Sequence, residues 1–306
     1  MSAKTLKDLH LAVLMGGPGS EREVSLRSGA AVARAFRGAG YRVTEVDVTG
    51  PDFALPPDTD LCVNMIHGTF GEDGRLQAIL DQRGLAFTGE GEATSRIAFD
   101  KLASKELFAK AGVPTPRWEV IAPGARPTLP LPIVVKAPRE GSSVGVHLVR
   151  EVAQLDAALE DCAHLDREIL VEELVEGREL TVGVVGDRAL AVVEIRPNEG
   201  FYDYAHKYTK GASEYFCPAP LDDMTTRRVQ ETALAAHRAL GLEVYSRVDI
   251  LLRADGELFV LEANTIPGMT ETSLLPKAAA AVGIDFLALC EEIARISLQH
   301  RPSAAS

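Results

Sequence analysis

This sequence predicts an α/β protein with a parallel sheet in its N-terminal part, on three observations. Short apolar runs alternate with helical patterns from residue 9 to residue 84, and repeats of that kind close into a parallel sheet with helices on its faces. Glycine-rich bends, GGPGSERE and HGTFGEDG, follow two of the apolar runs, at the carboxyl ends of strands, where such sheets bind ligands. Far downstream, RVDILLRADGELFVLEANTIPG (247–268) places two apolar-rich stretches around Asp255-Gly256, the strongest short-range hairpin signal.

Taken in order, 9–15 reads as a short buried strand. A helix over 24–39 follows, and Gly40 supplies its left-handed end. Strands over 41–48 and 61–66 and a helix over 74–83 closed by Gly84 continue the alternation. Residues 89–98 turn small and polar and read as a first linker. A helix over 97–111 is stopped by Gly112 and Pro114. A Pro-rich link over 122–132 leads to LPIVVKAPREGSSVGVHLV, a strand, a loop and a strand. Then come a helix over 152–163, a strand over 168–175 and a hairpin turning at Gly186-Asp187 whose strands read as structural. FYDYAHKYTKGASEYF (201–216) holds four of the six tyrosines without any period, and reads as a long loop that covers a site. Helices over 225–240 and 285–298 flank the Asp255-Gly256 hairpin and close the chain.

Composition narrows the function. Apolar residues make up 46% and charged residues 25%, the balance of a globular protein, and 306 residues suffice for two or three domains. Lys plus Arg number 32 against 44 Asp plus Glu, a net charge of −12. That argues against nucleic-acid or acidic-membrane partners, though not against a nucleotide, whose phosphates need only local donors. Cys62, Cys162, Cys217 and Cys290 have no metal spacing and read as reduced thiols of a cytoplasmic protein. The apolar run near the start ends in Gly16-Gly17 and resembles neither a signal peptide nor a membrane span.

The hairpin carries the sharpest chemical expectation. With Asp255 and Gly256 as a two-residue loop, Asp249 faces Glu262 and Arg247 faces Asn264, all four on one face of the sheet. Opposed like charges repel, so an acidic, solvated strand end would be poorly built. A divalent cation between the two carboxylates reverses that argument. Carboxylates with an amide oxygen form a hard ligand set suited to Mg²⁺ on phosphates. Lys136 closes an apolar strand and precedes REGSSVG, whose free donors suit phosphate; a solvent turn is the plain alternative. Lys207 could reach a phosphate from the Tyr-rich loop. Glu21 stands at a helix start, favoured there by the macrodipole and able to receive an ammonium group. His67 is the other polar residue placed at these bends. Glu172 and Glu173 lie at a strand edge beside an apolar wall that includes Leu174.

The assembled residues resemble the D-alanine–D-alanine ligases of the ATP-grasp superfamily over nearly the whole chain. Six ordered blocks carry the resemblance: GGPGSEREVSL (16–26), HGTFGEDG (67–74), Asp100-Lys101, VKAPREGSSVG (135–145), YDYAHKY (202–208), and RVDILL (247–252) with LEANTIPGMTETSL (261–274). The resemblance implies a three-domain ATP-grasp fold with a Rossmann-like first domain, divided here at 1–95, 96–175 and 176–306. It implies that ATP and D-alanine are the substrates, that Mg²⁺ is bound as two ions with Mn²⁺ as a substitute, and that the protein is a homodimer. It places Lys101 and Lys136 on the nucleotide phosphates, Glu172, Glu173, Leu174 and Val175 beside the adenine, Glu179 on the ribose, and Lys207 on the γ-phosphate. Asp249, Glu262 and Asn264 would hold the metal ions, and Arg247 with the Gly268 N–H the oxyanion. Glu21 would take the first D-alanine's ammonium, with Ser142 and Tyr208 linked to it; Ser273 and Leu274 would position the second D-alanine. Leu174 stands where some relatives carry Trp.

Three other readings compete. A D-alanine–D-lactate ligase would make an ester, and Tyr208 favours the dipeptide. A catalytically silent ATP-binding regulator would be expected to have lost Arg247, Asp249, Glu262 or Lys207, all of which are present. Another ATP-grasp ligase acting on a peptide or larger acid fits the Tyr-rich loop and Ser273-Leu274 less well.

Overall fold

The computed structural model describes residues 5–197 and 213–301, and its strands form three sheets. The first is parallel, in the order β2-β1-β3-β4, from β1 (His10–Gly16), β2 (Arg42–Val48), β3 (Leu61–Asn64) and β4 (Ala86–Phe87). Helix α1 (Arg22–Gly38) joins β1 to β2, and α2 (Arg75–Gln82) joins β3 to β4. All seven residues of β1 are buried because both faces are covered. Leu11, Val13 and Met15 join one core with Val32 and Phe36 of α1, while Ala12 and Leu14 join another with Leu76 and Leu80 of α2. A strand buried on both sides reads as a continuous apolar run, as LAVLM does.

Two helices occupy the stretch expected as linker and single helix. Helix α3 (Glu92–Phe99) ends at Asp100, and α4 (Lys101–Ala111) begins there. The Asp100 carboxylate accepts from the backbone N–H of Leu102 at 2.9 Å, an N-cap that restarts the helix. The expected linker at 89–98 is therefore corrected: most of it is helix.

The second sheet is antiparallel, in the order β5-β8-β6-β7, from β5 (Trp118–Ile121), β6 (Ile133–Lys136), β7 (Val146–Val149) and β8 (Ile169–Glu173). Helix α5 (Val152–Leu165) covers one face, packing Leu155, Leu159 and Cys162 on Ile133, Val135, Ile169 and Val171. Alternation then turns Lys136 and Glu172 to the opposite face.

The third sheet is antiparallel, in the order β11-β10-β9-β12-β13, from β9 (Arg178–Val185), β10 (Arg188–Pro197), β11 (Ser213–Phe216), β12 (Tyr245–Leu252) and β13 (Leu258–Asn264). Helix α6 (Asp223–Ala239) covers the face carrying Leu180, Val182, Val248, Ile250 and Val260. The uncovered parity leaves Glu179, Thr181, Arg247 and Asp249 on the other face. Ser213–Phe216, expected as the end of a loop, is an edge strand; Tyr202–Gly211, the expected cover, lies outside the described residues with Lys207 and Tyr208. Helices α7 (Leu274–Ala281) and α8 (Phe286–His300) follow. The last packs Leu289, Ile293 and Ala294 onto the first sheet's core, tying the chain's end to its beginning.

Glu90 makes the second tie between the first and third sheets. Its carboxylate, 2% exposed, accepts from the backbone N–H groups of Glu243, Val244 and Tyr245 at 3.1, 2.8 and 3.2 Å. Glu90→Ala leaves those donors buried without an acceptor, at about 1–3 kcal/mol each. A loss of about 3 kcal/mol or more is expected, seen as a lower urea midpoint at unchanged slope; an unmoved midpoint would deny the clasp its role.

Candidate active site

The hairpin pairs as the chemistry requires, but not through the expected turn. Arg247 faces Asn264, and Asp249 faces Glu262. Beyond Asp249 the register shifts, so that Ile250 faces Val260 and Leu252 faces Leu258. The loop has three residues, closed by Arg253 N–H to Glu257 O at 2.9 Å, and only Gly256, at φ +89°, takes the left-handed conformation. Three-residue hairpins commonly end this way. Asp255 keeps ordinary backbone geometry, so the two-residue loop is corrected. A bulge at Leu261 restores the pairing. Leu258 and Val260 point into the core, and so does Ala263, whereas Leu261 and Glu262 both line the cleft. Strict alternation from Val260 would have buried Glu262; the extra residue turns it out.

Around this row stand counter-charges. Arg247 donates through both Nε and a terminal nitrogen to Asp249, at 3.0 and 2.8 Å, and Thr181 Oγ1 donates to Asp249 at 2.6 Å. Lys101 Nζ is 3.6 Å from Glu262 and donates to the Glu140 carbonyl at 2.7 Å. Asn264 Oδ1 accepts from Ile266 N–H at 2.9 Å. Among the described residues, no cluster of three or more His, Cys, Asp or Glu could hold a metal ion. Two carboxylates and an amide are an incomplete but hard donor set, and Mg²⁺ commonly takes its remaining ligands from phosphate and water. The residues fit such an ion.

Two cavities meet here, and Lys101 and Glu262 line both. The larger, about 490 Å³, is lined by Glu21, His67, Ser142, Arg247, Gly268, Ser273 and Leu274, among others. Glu21 caps α1 by position without using its side chain, which extends instead to the Gly/Ser loop and accepts from Ser142 Oγ. Two glycines make room for it. A Cβ on Gly68 would lie 2.2 Å from Glu21 Oε2, and one on Gly141 2.9 Å. Ser142 itself holds φ +49°, a strained value for a non-glycine residue.

His67 is a wall residue rather than an open donor. Its Nδ1 meets the Ile266 carbonyl at 2.7 Å and its Nε2 meets Ser28 Oγ at 3.0 Å, which fixes the turn leading to Gly268. Glu72, next to it at 3.8 Å, is a lining residue missed in the sequence. Burial pushes its carboxyl above the ordinary range. Ser273 Oγ bonds Thr270 Oγ1 at 2.7 Å at the start of α7.

The smaller cavity, about 100 Å³, is lined by Lys136, Glu172, Glu173, Leu174, Val175, Glu179, Asp249 and Leu261, among others. Glu173 turns its carboxylate to Arg117, at 2.7 Å. At the cavity's back Glu172 is paired with two ammonium groups, Lys136 and Lys105. Lys105 is the other residue missed; the only sequence signal was its spacing, one helical turn after Lys101. Burial alone would raise the Glu172 carboxyl, but the two lysines outweigh it and hold it below the usual range.

A family model described as the D-ala D-ala ligase C-terminus matches residues 107–295. A protein of Methylacidiphilum infernorum named D-alanine–D-alanine ligase is 52% identical over 94% of this chain and 95% of its own. The chain belongs to the D-alanine–D-alanine ligase family. A second member so named, from Citrifermentans bemidjiense, is 44% identical over 94% of this chain and 95% of its own. Among solved structures, the D-alanine–D-alanine ligase of Bacillus anthracis complexed with ATP superposes with a TM-score of 0.84 at 32% identity, covering 96% of this chain and 98% of that one. The VanG D-Ala:D-Ser ligase of Enterococcus faecalis does so at 0.84 and 28% identity, covering 94% and 99%. The fold is thus the three-sheet architecture of the ATP-grasp ligases.

The buried Glu172 predicts a pH signature. Glu172→Gln removes the anion from two ammonium groups, at about 3–5 kcal/mol for a broken buried pair. Because the folded carboxyl titrates below its unfolded value, its contribution is complete above about pH 4.3 and is lost as pH falls through the folded value. Urea unfolding should therefore show a gap between parent and variant at pH 7 that narrows in acid. A gap that widened in acid would contradict the assignment.

Proposed function

We propose that the chain joins two molecules of D-alanine at the expense of ATP, releasing ADP and phosphate, for peptidoglycan precursor synthesis in the cytoplasm. The observation that carries this is the meeting of the two cavities at Lys101 and Glu262: one takes the nucleotide, the other the amino acids. The nucleotide would lie on Glu173, Leu174 and Val175, its ribose at Glu179 and its phosphates toward Lys101 and Lys136. Asp249, Glu262 and Asn264 would hold Mg²⁺, which when bound offsets the charge of the transferring phosphoryl group. The first D-alanine would set its ammonium on Glu21 and its carboxylate toward the phosphates.

A carboxylate is a poor electrophile, and its phosphorylation to an acyl phosphate makes the carbon reactive. The second D-alanine, at Ser273 and Leu274, attacks with its amine; a C–N bond forms, the C–O bond to phosphate breaks, and the amine proton is lost. Arg247 and the Gly268 N–H would receive the tetrahedral oxyanion, each donor contributing about 2.7–4 kcal/mol. For that, Arg247 must divide its donors between Asp249 and the oxyanion, which a metal ion on Asp249 favours. D-Alanine rather than D-lactate or D-serine as acceptor is the reading that the names of the relatives at 52% and 44% identity support.

Phosphate release is the test. It is expected only with ATP, Mg²⁺ and D-alanine together and not with L-alanine, and Glu262→Gln should lower it about 10²–10³-fold. Equal release with L-alanine, or full activity in the variant, would overturn the reading. Gly141→Ala probes the ammonium site separately. Its Cβ would crowd the Glu21 carboxylate at 2.9 Å, so kcat/KM for D-alanine should fall about 10–100-fold with the unfolding midpoint unmoved; normal kinetics would separate Glu21 from substrate.

A further inference from the structure

Lys105 lies outside every role assigned above, yet it is among the most deeply buried ionisable groups, with 1% of its side chain exposed. Lysine is rarely buried unless paired, and here its surroundings are polar and specific. Its ammonium meets one oxygen of Glu172, while the ammonium of Lys136 meets the other. It donates to Thr115 Oγ1 at 2.7 Å and lies 3.4 Å from the Pro116 carbonyl. Thr115 in turn donates to the Val260 carbonyl at 2.9 Å, at the edge of the bulge that turns Glu262 outward. Lys136 and Glu172 line the small cavity and Lys105 does not; Lys136 is the most exposed of the three, at 12% of its side chain against 1% for Glu172.

We infer that Lys105 is a positioning residue of the nucleotide cavity: by holding one oxygen of the Glu172 carboxylate, it fixes the other oxygen, and with it the place of the Lys136 ammonium. Without Lys105, Glu172 would carry its whole charge toward Lys136 and draw that ammonium back from the cavity. A long, flexible lysine is otherwise free to take many rotamers; held between an anchored anion and the cavity, it is preset for a nucleotide. This rests on the nucleotide reading of the smaller cavity.

The experiment uses the full-length chain. Titration calorimetry with ATP and Mg²⁺, alongside steady-state kinetics, compares the parent with Lys105→Met and Lys105→Arg. Lys105→Met is expected to weaken ATP binding and raise KM for ATP at least tenfold, with kcat changed less than threefold and KM for D-alanine unchanged. Lys105→Arg, which keeps the cation, should recover ATP affinity to within about threefold of the parent. Should Lys105→Met not fold, Thr115→Val removes the lysine's second anchor, and a severalfold rise in KM for ATP is expected alone. Unchanged ATP affinity in a folded Lys105→Met, or in Thr115→Val when that is the variant tested, would overturn the inference. A parent that bound no ATP would instead overturn the nucleotide reading on which it rests.

Discussion

Asp249 and Glu262 face each other across an antiparallel pair, a placement that costs free energy unless something positive stands close by. Much of the cleft can be understood as the answer to that constraint. Arg247, two residues before Asp249 on its own strand, chelates its carboxylate, and Lys101 reaches toward Glu262 from α4. These cations offset the repulsion between the two carboxylates. On the function proposed above, they are also the groups that would meet a phosphate or an oxyanion, with a divalent ion on the carboxylates. Each of the two carboxylates is therefore held by a cation of its own, Asp249 by Arg247 and Glu262 by Lys101.

Helix α4 is the beam that relates this row to the rest of the smaller cavity. Lys101 at its first turn faces the carboxylates, and Lys105 one turn later faces Glu172, as i,i+4 spacing dictates. Asp100, which caps the helix, is held by Arg139 at 2.8 Å, and Arg139 also binds Asp166 and Glu168 at 2.8 and 2.7 Å. Because Arg139 stands at the base of the Gly/Ser loop, one ion cluster sets both the helix that carries the lysines and the loop that carries Ser142. Movement of the second sheet relative to the third would have to carry or break these contacts together.

The legible and illegible parts of this chain divide along physical lines. The strand-helix alternation of the first sheet was readable because burial on both faces writes an unbroken apolar run such as that of β1. The facing of Asp249 and Glu262 was also read, though from a two-residue turn that does not form. Two displacements of one residue, a longer loop and a bulge at Leu261, cancel at Asp249. Periodicity alone cannot see a compensated shift, because Leu261 and Glu262 look like ordinary alternation. The break at Asp100 was hidden because α3 and α4 share a helical composition with no proline or glycine between them. Lys105 and Glu72 escaped because burial of a charge is not written in its own neighbourhood: the partner of Lys105, Glu172, comes from a distant strand, and Glu72, though in the same bend as His67, reads as one more polar residue of a loop.

The larger cavity draws its lining from all three sheets and their loops, as the binding of an amino acid proposed for it would require. On the function proposed above, an ammonium group needs a shielded carboxylate, and Glu21 at the start of α1 would supply it. Shielding requires that other backbone approach it closely. Gly68 from the first unit and Gly141 from the second do so, and neither position has space for a Cβ beside the carboxylate. On that reading the carbon to be attacked would lie between this group and Arg247 on the third sheet. No single sheet presents an anion, a close backbone and a cation in that order, so on this reading the junction itself would be the recognition element. Glu90 and α8, which fasten the first sheet to the third, would thus bear on the proposed chemistry as well as on stability, because they hold the element carrying Glu21 against the sheet carrying Arg247.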